Sequence, residues 1–460
     1  MSKKQLTVSR RAFLSNAAII GASGTLGAGS LLTACSSGGE KETKYTPLRP
    51  AGDLYIPDLP DKAYDGKPIR AGLIGCGGRG TGAALNFLDA ANNVSIVACA
   101  DLFKDRMDRC RGKMKEKNNI IADDMCFLGF DAYKKVCDLD VDVVLIVSPE
   151  LFHSEHIKYA VEKGKHVFCE KPAAIDAAGY RAYLMAVRQA KTKNLCIVVG
   201  TQRHHHRGYV ESYKKVQEGY IGRITSGCVY WNQPHMDYGT FRNPAWTDME
   251  YMLRSYLYWN WLGGDHVIHQ MVHNLDVFAW FSNLKPVRAI GMGSRLRRIS
   301  GDIYDNFGVD FEFENNVHVL GMARQIDGCD NRVAEIIQGT KGQWNSLNGE
   351  FTITDLDGKV VWKYDDAAAK AQFKQHDPYT LEHVALVNHI RWGKPVNHGE
   401  LMATSSMACI MARESAYTGK AYTWDEMTQS DLNFTPDEWH MGNVDMSKFK
   451  VPLPGRAPVT

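Results

Sequence analysis

Several stretches of this 460-residue chain carry residue types whose spacing could do chemistry. In IRAGLIGCGGRGTGAAL, from Ile69 to Leu85, a short β-type run enters Gly75, Gly77 and Gly80, and an Ala-rich helical segment follows. In that order each glycine has a mechanical role: Gly75 permits a tight turn, Gly77 lets bare backbone approach a phosphate, and Gly80 lets the helix pack close. Gly78 and Arg79 belong to the same loop, and the helix start adds free N–H groups that suit a pyrophosphate. A second β-type run, VSIVACAD, ends in Asp101. A carboxylate there suits adenosine ribose hydroxyls and repels a 2'-phosphate, so the implied ligand is a dinucleotide, NAD ahead of NADP.

Further stretches supply groups able to move protons. The apolar run VDVVLIV leads into Ser148-Pro149-Glu150-Leu151-Phe152-His153, the run KHVFC into Glu170-Lys171-Pro172, and LCIVVGT into Gln202, Arg203 and His204. Ligands of open α/β sheets collect at the carboxyl ends of strands, where Ser148, His153, Glu170, Lys171, Gln202 and Arg203 all fall. An ammonium such as that of Lys171 can hold and polarise an alkoxide, and partial burial brings its pKa towards a working range. Further on, WNWLGGDHVIHQMVHNLD places His266, His269 and His273 at i, i+3 and i+7, which predicts one helical face. A histidine base suits neutral pH. The same face could hold a divalent metal or be buried structure, but no H-E-x-x-H accompanies it, and no metal is expected. Aromatic residues crowd this segment, from Tyr230 and Trp231 to Trp259 and Trp261, as suits sugar rings that stack on π-faces.

Several elements must position these groups. The β/α alternation to about residue 202 predicts a doubly wound parallel sheet of the Rossmann type. After it, short β-type runs separated by turn signals (224–231, 289–294, 308–313, 317–323, 332–338, 351–354 and 360–364) predict a large, mainly antiparallel sheet in an α+β domain. Helical segments at 379–392 and 400–417 close that domain, and residues 426–460 read as a tail over the surface. The expected boundaries are therefore 67–202 for the nucleotide domain and 203–425 for the substrate domain. Apolar content of 44% allows a sizeable core, and a formal net charge of +2 gives no electrostatic case for a nucleic-acid partner. Of eleven cysteines, those at 76, 99, 169 and 196 lie in or beside apolar runs and read as core thiols.

The first 35 residues read as a signal. Ser9-Arg10-Arg11-Ala12-Phe13-Leu14 has the twin-arginine pattern, a Gly/Ala-rich apolar region follows, and Leu32-Thr33-Ala34-Cys35 resembles a lipobox whose cysteine is lipidated. Residues 36–66 read as a polar tether. The implied location is the cell envelope (periplasm), with membrane contact only through the lipid at Cys35. Little free NAD is expected there, so the cofactor should be tightly bound and its redox cycle closed on the protein.

Taken together, GLIGCGGRG, SPELFH, GKHVFCEKP and the GG-x(n)-H-x-x-D segment resemble the glucose-fructose oxidoreductase / inositol dehydrogenase (Gfo/Idh/MocA) family over about residues 67–420. The resemblance implies that Lys171 sits at the reacting hydroxyl, and that the open face of the second sheet joins a homodimer or homotetramer. His273 and Asp276 match the family pattern, whereas His269 stands where a carboxylate is usual. The expected catalytic set is Lys171, His273 and His269. The expected cofactor set is Gly75, Gly77, Gly78, Arg79, Gly80, Asp101, Ser148, Pro149, His153, Glu170, Lys171 and Gln202. Arg203, His204, Trp261, Asp265 and His266 are expected to bind a carbohydrate substrate. Three functions are compatible with these residues: an NAD-dependent oxidoreductase acting on a sugar hydroxyl, a glycosidase that uses NAD catalytically, and a non-catalytic sugar-binding lipoprotein.

Overall fold

Continuous apolar runs give the first sheet its character. β1 (Ile69–Ile74), β2 (Val94–Asp101), β3 (Cys126–Leu128), β4 (Val143–Ile146), β5 (His166–Cys169) and β6 (Ile197–Val199) pair in the order β3-β2-β1-β4-β5-β6, all parallel. All four residues of β4 are fully enclosed, as expected of a strand covered by helices on both faces. The order reverses at β1, flanked by β2 and β4, so the crevice for a ligand opens beyond the carboxyl ends of these strands. The computed structural model describes residue 48 and residues 54–237 and 241–455. Cys35 and the signal segment lie outside the described residues, as does most of the sequence before residue 54.

Alternating patterns build the second sheet. β7 (Ile224–Gln233), β8 (Pro286–Ser294), β9 (Asn306–Phe313), β10 (Val317–Gln325), β11 (Arg332–Gly339), β12 (Gly342–Asn345), β13 (Thr352–Asp355), β14 (Val360–Lys363) and β15 (Tyr422–Thr423) form nine strands. All neighbours are antiparallel except β7 and β10, whose central pairing is parallel. β10 alternates strictly between enclosed and open residues, with Val317, Val319 and Ala323 inside and His318, Leu320 and Met322 outside. The inner face packs on the helices Val272–Ser282 and Gly399–Thr418, while the outer face carries exposed Ile290, Met292, Leu320 and Met322.

Two expectations about organisation are corrected. The tether is not free along its whole length, because Leu59 and Ala63 are buried and the Ala63 N–H donates to the Ala90 carbonyl at 2.8 Å. The helix Pro378–Trp392 does not belong to the second domain alone: it packs on Gly78–Ala90 beside the glycine loop. Residues 428–455 lie along the surface with none of them buried, and Trp439 stacks on Phe130 at 5.1 Å while the Phe434 N–H donates to Asp176 at 2.7 Å.

Candidate active site

The crevice is a cavity of roughly 1180 Å³, lined by residues that follow the strands of the first sheet and by residues of the second domain. At one end lies the glycine loop. Gly75 has φ +96°, and a Cβ there would meet the Val147 carbonyl at 2.4 Å; at Gly80 it would meet the Gly75 carbonyl at 1.8 Å. These two positions exclude any side chain by contact with backbone. At Gly77 and Gly78 an added Cβ would meet nothing within 4 Å, so the bare backbone there faces open space. The helix Gly78–Ala90 begins at this point with no side-chain cap, leaving its first N–H groups available to an anion. Asp101 closes the end of β2: its carboxylate accepts from the Cys76 N–H at 2.6 Å and from the Phe103 N–H at 2.8 Å. Arg106, Arg109 and Lys113 line the same end. A pyrophosphate against the open backbone and a ribose at Asp101 fit this arrangement.

Arg79 leaves the loop to bind Glu170 at 2.6 Å, with its guanidinium 4.6 Å from the Tyr379 ring. Glu170 thereby ties the glycine loop to the end of β5, next to Lys171. His153 fixes the adjoining backbone, its ring nitrogens lying 2.8 Å from the Ser148 carbonyl and 2.7 Å from that of Pro172. Ser148 meets His156 at 3.0 Å, and burial pushes the His156 imidazole down to about 3, so it stays neutral.

At the other end stands the reactive cluster. Lys171 Nζ donates to the His269 carbonyl at 2.6 Å, and burial lowers its pKa from the usual lysine range. His269 Nδ1 lies 2.6 Å from Glu150 Oε1. Burial raises the Glu150 carboxyl to about 7. His273 is stacked on Trp231 with ring centroids 5.5 Å apart, and its Nδ1 has no hydrogen-bond partner among the described residues. Burial first, and the Lys171 charge next, push both His269 and His273 well below the ordinary histidine range.

The predicted residues divide sharply. Gly75, Gly77, Gly78, Arg79, Gly80, Asp101, Ser148, Pro149, His153, Glu170, Lys171, Gln202, His269 and His273 all line the cavity. Arg203, His204, Trp261, Asp265 and His266 do not, and their assignment to substrate is corrected. Arg203 is buried in an ion pair with Glu335, behind the Trp231 ring. His204 bonds Asp276 at 2.6 Å and stacks on Trp280 at 4.2 Å. Trp261 packs against Trp439 and Phe449. Asp265, held at φ +72°, accepts from the His266 and Tyr304 N–H groups and the Tyr417 hydroxyl, and is a structural hub. His266 leaves the cavity because the expected single helix is two: His266–His269 ends at Gln270, and Val272–Ser282 starts anew. The break turns His269 and His273 to one cavity and His266 into the core. Among the described residues, no group of three or more His, Cys, Asp or Glu side chains is arranged to hold a metal ion.

The family description "Oxidoreductase family, NAD-binding Rossmann fold" matches residues 69–206, and "GFO/IDH/MocA C-terminal domain" matches residues 209–345, so the two together span more than half of the chain. The chain belongs to the Gfo/Idh/MocA family of oxidoreductases. Among curated Gfo/Idh/MocA-like relatives it is 26% identical over 219 residues to inositol 2-dehydrogenase of Salmonella paratyphi B, a match covering 47% of this chain and 55% of that protein. It is 30% identical over 228 residues to glycosyl hydrolase family 109 protein 1 of Bacteroides fragilis, covering 46% and 48%. The chain thus spans about half the length of these relatives. Scyllo-inositol dehydrogenase from Lactobacillus casei, solved with bound cofactor NAD(H) and scyllo-inositol, shares the fold at a TM-score of 0.58 and 20% identity, covering 77% of this chain and 99% of that one.

Sequence reasoning about this Gfo/Idh/MocA chain missed several cavity residues: Glu150, Gln233, Gln270 and Tyr379. Glu150 was within reach, as a carboxylate directly after Ser-Pro at a strand end. Tyr379 was not, because it reaches the glycine loop from a helix some three hundred residues away in sequence.

Proposed function

We propose that the protein is an NAD-dependent oxidoreductase acting on a hydroxyl of a sugar or sugar derivative. The observation that carries this reading is the cavity itself: an anion-ready glycine loop at one end and a buried lysine with two histidines at the other. A bound nicotinamide supplies the hydride acceptor. Gly77 and the open helix start would hold the pyrophosphate, Asp101 the adenosine ribose, and Ser148, Pro149 and Gln202 the wall of the nicotinamide half. Lys171, with a lowered pKa and a short bond to the His269 carbonyl, is placed to polarise the reacting hydroxyl. His273 and His269 are the two bases in the same cluster able to take its proton. Trp231 lines the same cavity and holds the His273 ring by stacking.

NAD is preferred to NADP because Asp101 would repel a 2'-phosphate, although Arg106 and Arg109 lie nearby. The protein is exported by the twin-arginine route, lipid-anchored at Cys35 in the periplasm, and keeps its NAD through the catalytic cycle. The exposed apolar residues of the nine-stranded sheet's outer face suit a homodimer or homotetramer.

A second reading is favoured by the resemblance to the Bacteroides fragilis glycosyl hydrolase: transient oxidation of a ring hydroxyl, elimination of the aglycone, and return of the hydride. Both readings share the opening step. Protein purified without added nucleotide and mixed with a panel of sugars and glycosides tests it. Bound NAD should be reduced, seen as near-ultraviolet absorbance, and product analysis then separates oxidation from cleavage. Protein that arrives empty and cannot be loaded with either dinucleotide would defeat both.

A further inference from the structure

Glu150 has no part in the reading above, yet it is the most unusual carboxylate in the cavity wall. It is 4% exposed, its Oε1 faces His269 Nδ1 at 2.6 Å, and its Oε2 is buried with no hydrogen-bond partner among the described residues. It comes from the loop after β4, whereas His269 ends a short helix of the second domain, so the pair spans the cavity floor. With Nδ1 taken, Nε2 is the ring nitrogen of His269 left for a ligand.

We propose that Glu150 and His269 form a proton relay, in which the reacting hydroxyl gives its proton to His269 Nε2 while the Nδ1 proton passes to Glu150 Oε1. The proposal rests on the reading of this cavity as a site of hydroxyl oxidation. The substrate O–H and the Nδ1–H bonds break, and Nε2–H and Oε1–H bonds form. The C–H electron pair leaves as hydride to the nicotinamide. The imidazole ends neutral as its other tautomer, and Glu150 ends as a neutral acid. No charge is added to a ring that burial disfavours charging.

His273 is the poorer acceptor. Its Nδ1 has no partner to pass a proton to, and the positive charges of Lys171 and Arg203 oppose a cation there. It serves as a hydrogen-bonding partner of the hydroxyl. Glu150 is faced by His153, Lys171 and Glu170 as well as His269, and His269 by Lys171, His266, Glu170 and Asp265. Burial raises Glu150 to about 7, with Lys171 and His153 pulling the other way, so both its forms are available at neutral pH. Once Glu150 is protonated the relay is closed. The rate of reduction therefore rises as pH increases through about 7.

Glu150 acts through His269 and is a positioning and proton-accepting residue, so the test includes a readout that packing alone would not move. In 15N-histidine-labelled wild-type protein without substrate, we expect a strongly deshielded Nδ1 proton, absent from His269→Gln, that titrates near neutral pH. If His269 shows no proton shared with a carboxylate, the relay is overturned. This measurement also decides the matter if Glu150→Gln does not fold, or if no saccharide reduces bound NAD and the hydroxyl-oxidation reading itself fails. Where a reducing saccharide is found, Glu150→Gln keeps an acceptor for the Nδ1 proton but cannot be protonated. Its reduction rate should fall by about 100-fold, with KM within about threefold, NAD affinity unchanged and the neutral inflection gone. A variant with the wild-type rate and pH profile refutes the proposal.

Discussion

The two ends of the cavity are built on opposite plans. At the nucleotide end the chain works by leaving atoms out: Gly75 and Gly80 are required by carbonyls at 2.4 and 1.8 Å from any added Cβ, and Gly77 faces open space. All of these contacts lie between β1, β4 and one helix. At the reactive end the chain works by holding side chains in place: Lys171 from the first sheet, His269 and His273 from a broken helix, and Trp231 from the second sheet. The difference teaches where damage should show. Substitution in the loop harms folding or nucleotide binding, whereas substitution in the cluster harms chemistry with binding intact.

The largest break in that comparison is Lys171→Ala. It should lower the rate of NAD reduction by a saccharide by roughly 1000-fold, in the range of general acid–base contributions, while leaving NAD affinity within about threefold. Stopped-flow absorbance and fluorescence titration measure the two, and a parallel loss of NAD binding would erase the distinction between the ends.

Next comes the contrast of Gly80→Ala with Gly77→Ala. The first forces a methyl group against backbone and should destabilise the fold by about 3 kcal/mol, with NAD binding lost. The second meets open space. It should melt within about 0.5 kcal/mol of wild type but bind NAD about tenfold more weakly. Equal melting curves for the two variants would contradict the loop geometry.

A pH test separates cavity from core. Asp302 lies outside the cavity lining, accepts from the Asn260 N–H at 2.7 Å, and is raised by burial to about 7. Because the folded chain binds this proton more tightly than the unfolded one, its stabilising contribution is fully present at acid pH, below the ordinary carboxylate range. It is lost as pH rises towards about 7. Asp302→Asn cannot ionise and should remove a fall in stability on the order of 2 kcal/mol across that window, seen by chemical denaturation at stepped pH. The pH profile of NAD reduction should not change, in contrast to that of Glu150→Gln.

The smallest effect is expected at Trp231. Trp231→Ala removes the face against which His273 and Arg203 stack, at 5.5 and 5.4 Å. KM for saccharide should rise about fivefold, as His273 loses roughly 1 kcal/mol of stacking support, with NAD affinity unchanged. His204→Asn, behind the cavity, should cost stability and leave KM alone.

The nucleotide half was legible because its rules are local. A parallel strand, a glycine loop and a helix are contiguous in sequence, and the spacing of Gly75, Gly77 and Gly80 already states which positions can carry no side chain. The boundaries of most strands in the second sheet followed from alternation, although β12 and β15 were missed.

What sequence alone determined, then, is the fold class, the family resemblance and the stretch of chain at each strand end. Tertiary structure decided which side chains face one another. A helical wheel put His266, His269 and His273 together, but the break at Gln270 sent His266 into the core beside Asp265. Tertiary packing also brought Glu150 to His269 across 119 residues, and Tyr379 to Arg79 beside the glycine loop. The physical reason is that periodicity fixes the direction of a side chain only within one unbroken element, whereas a site is an intersection of several.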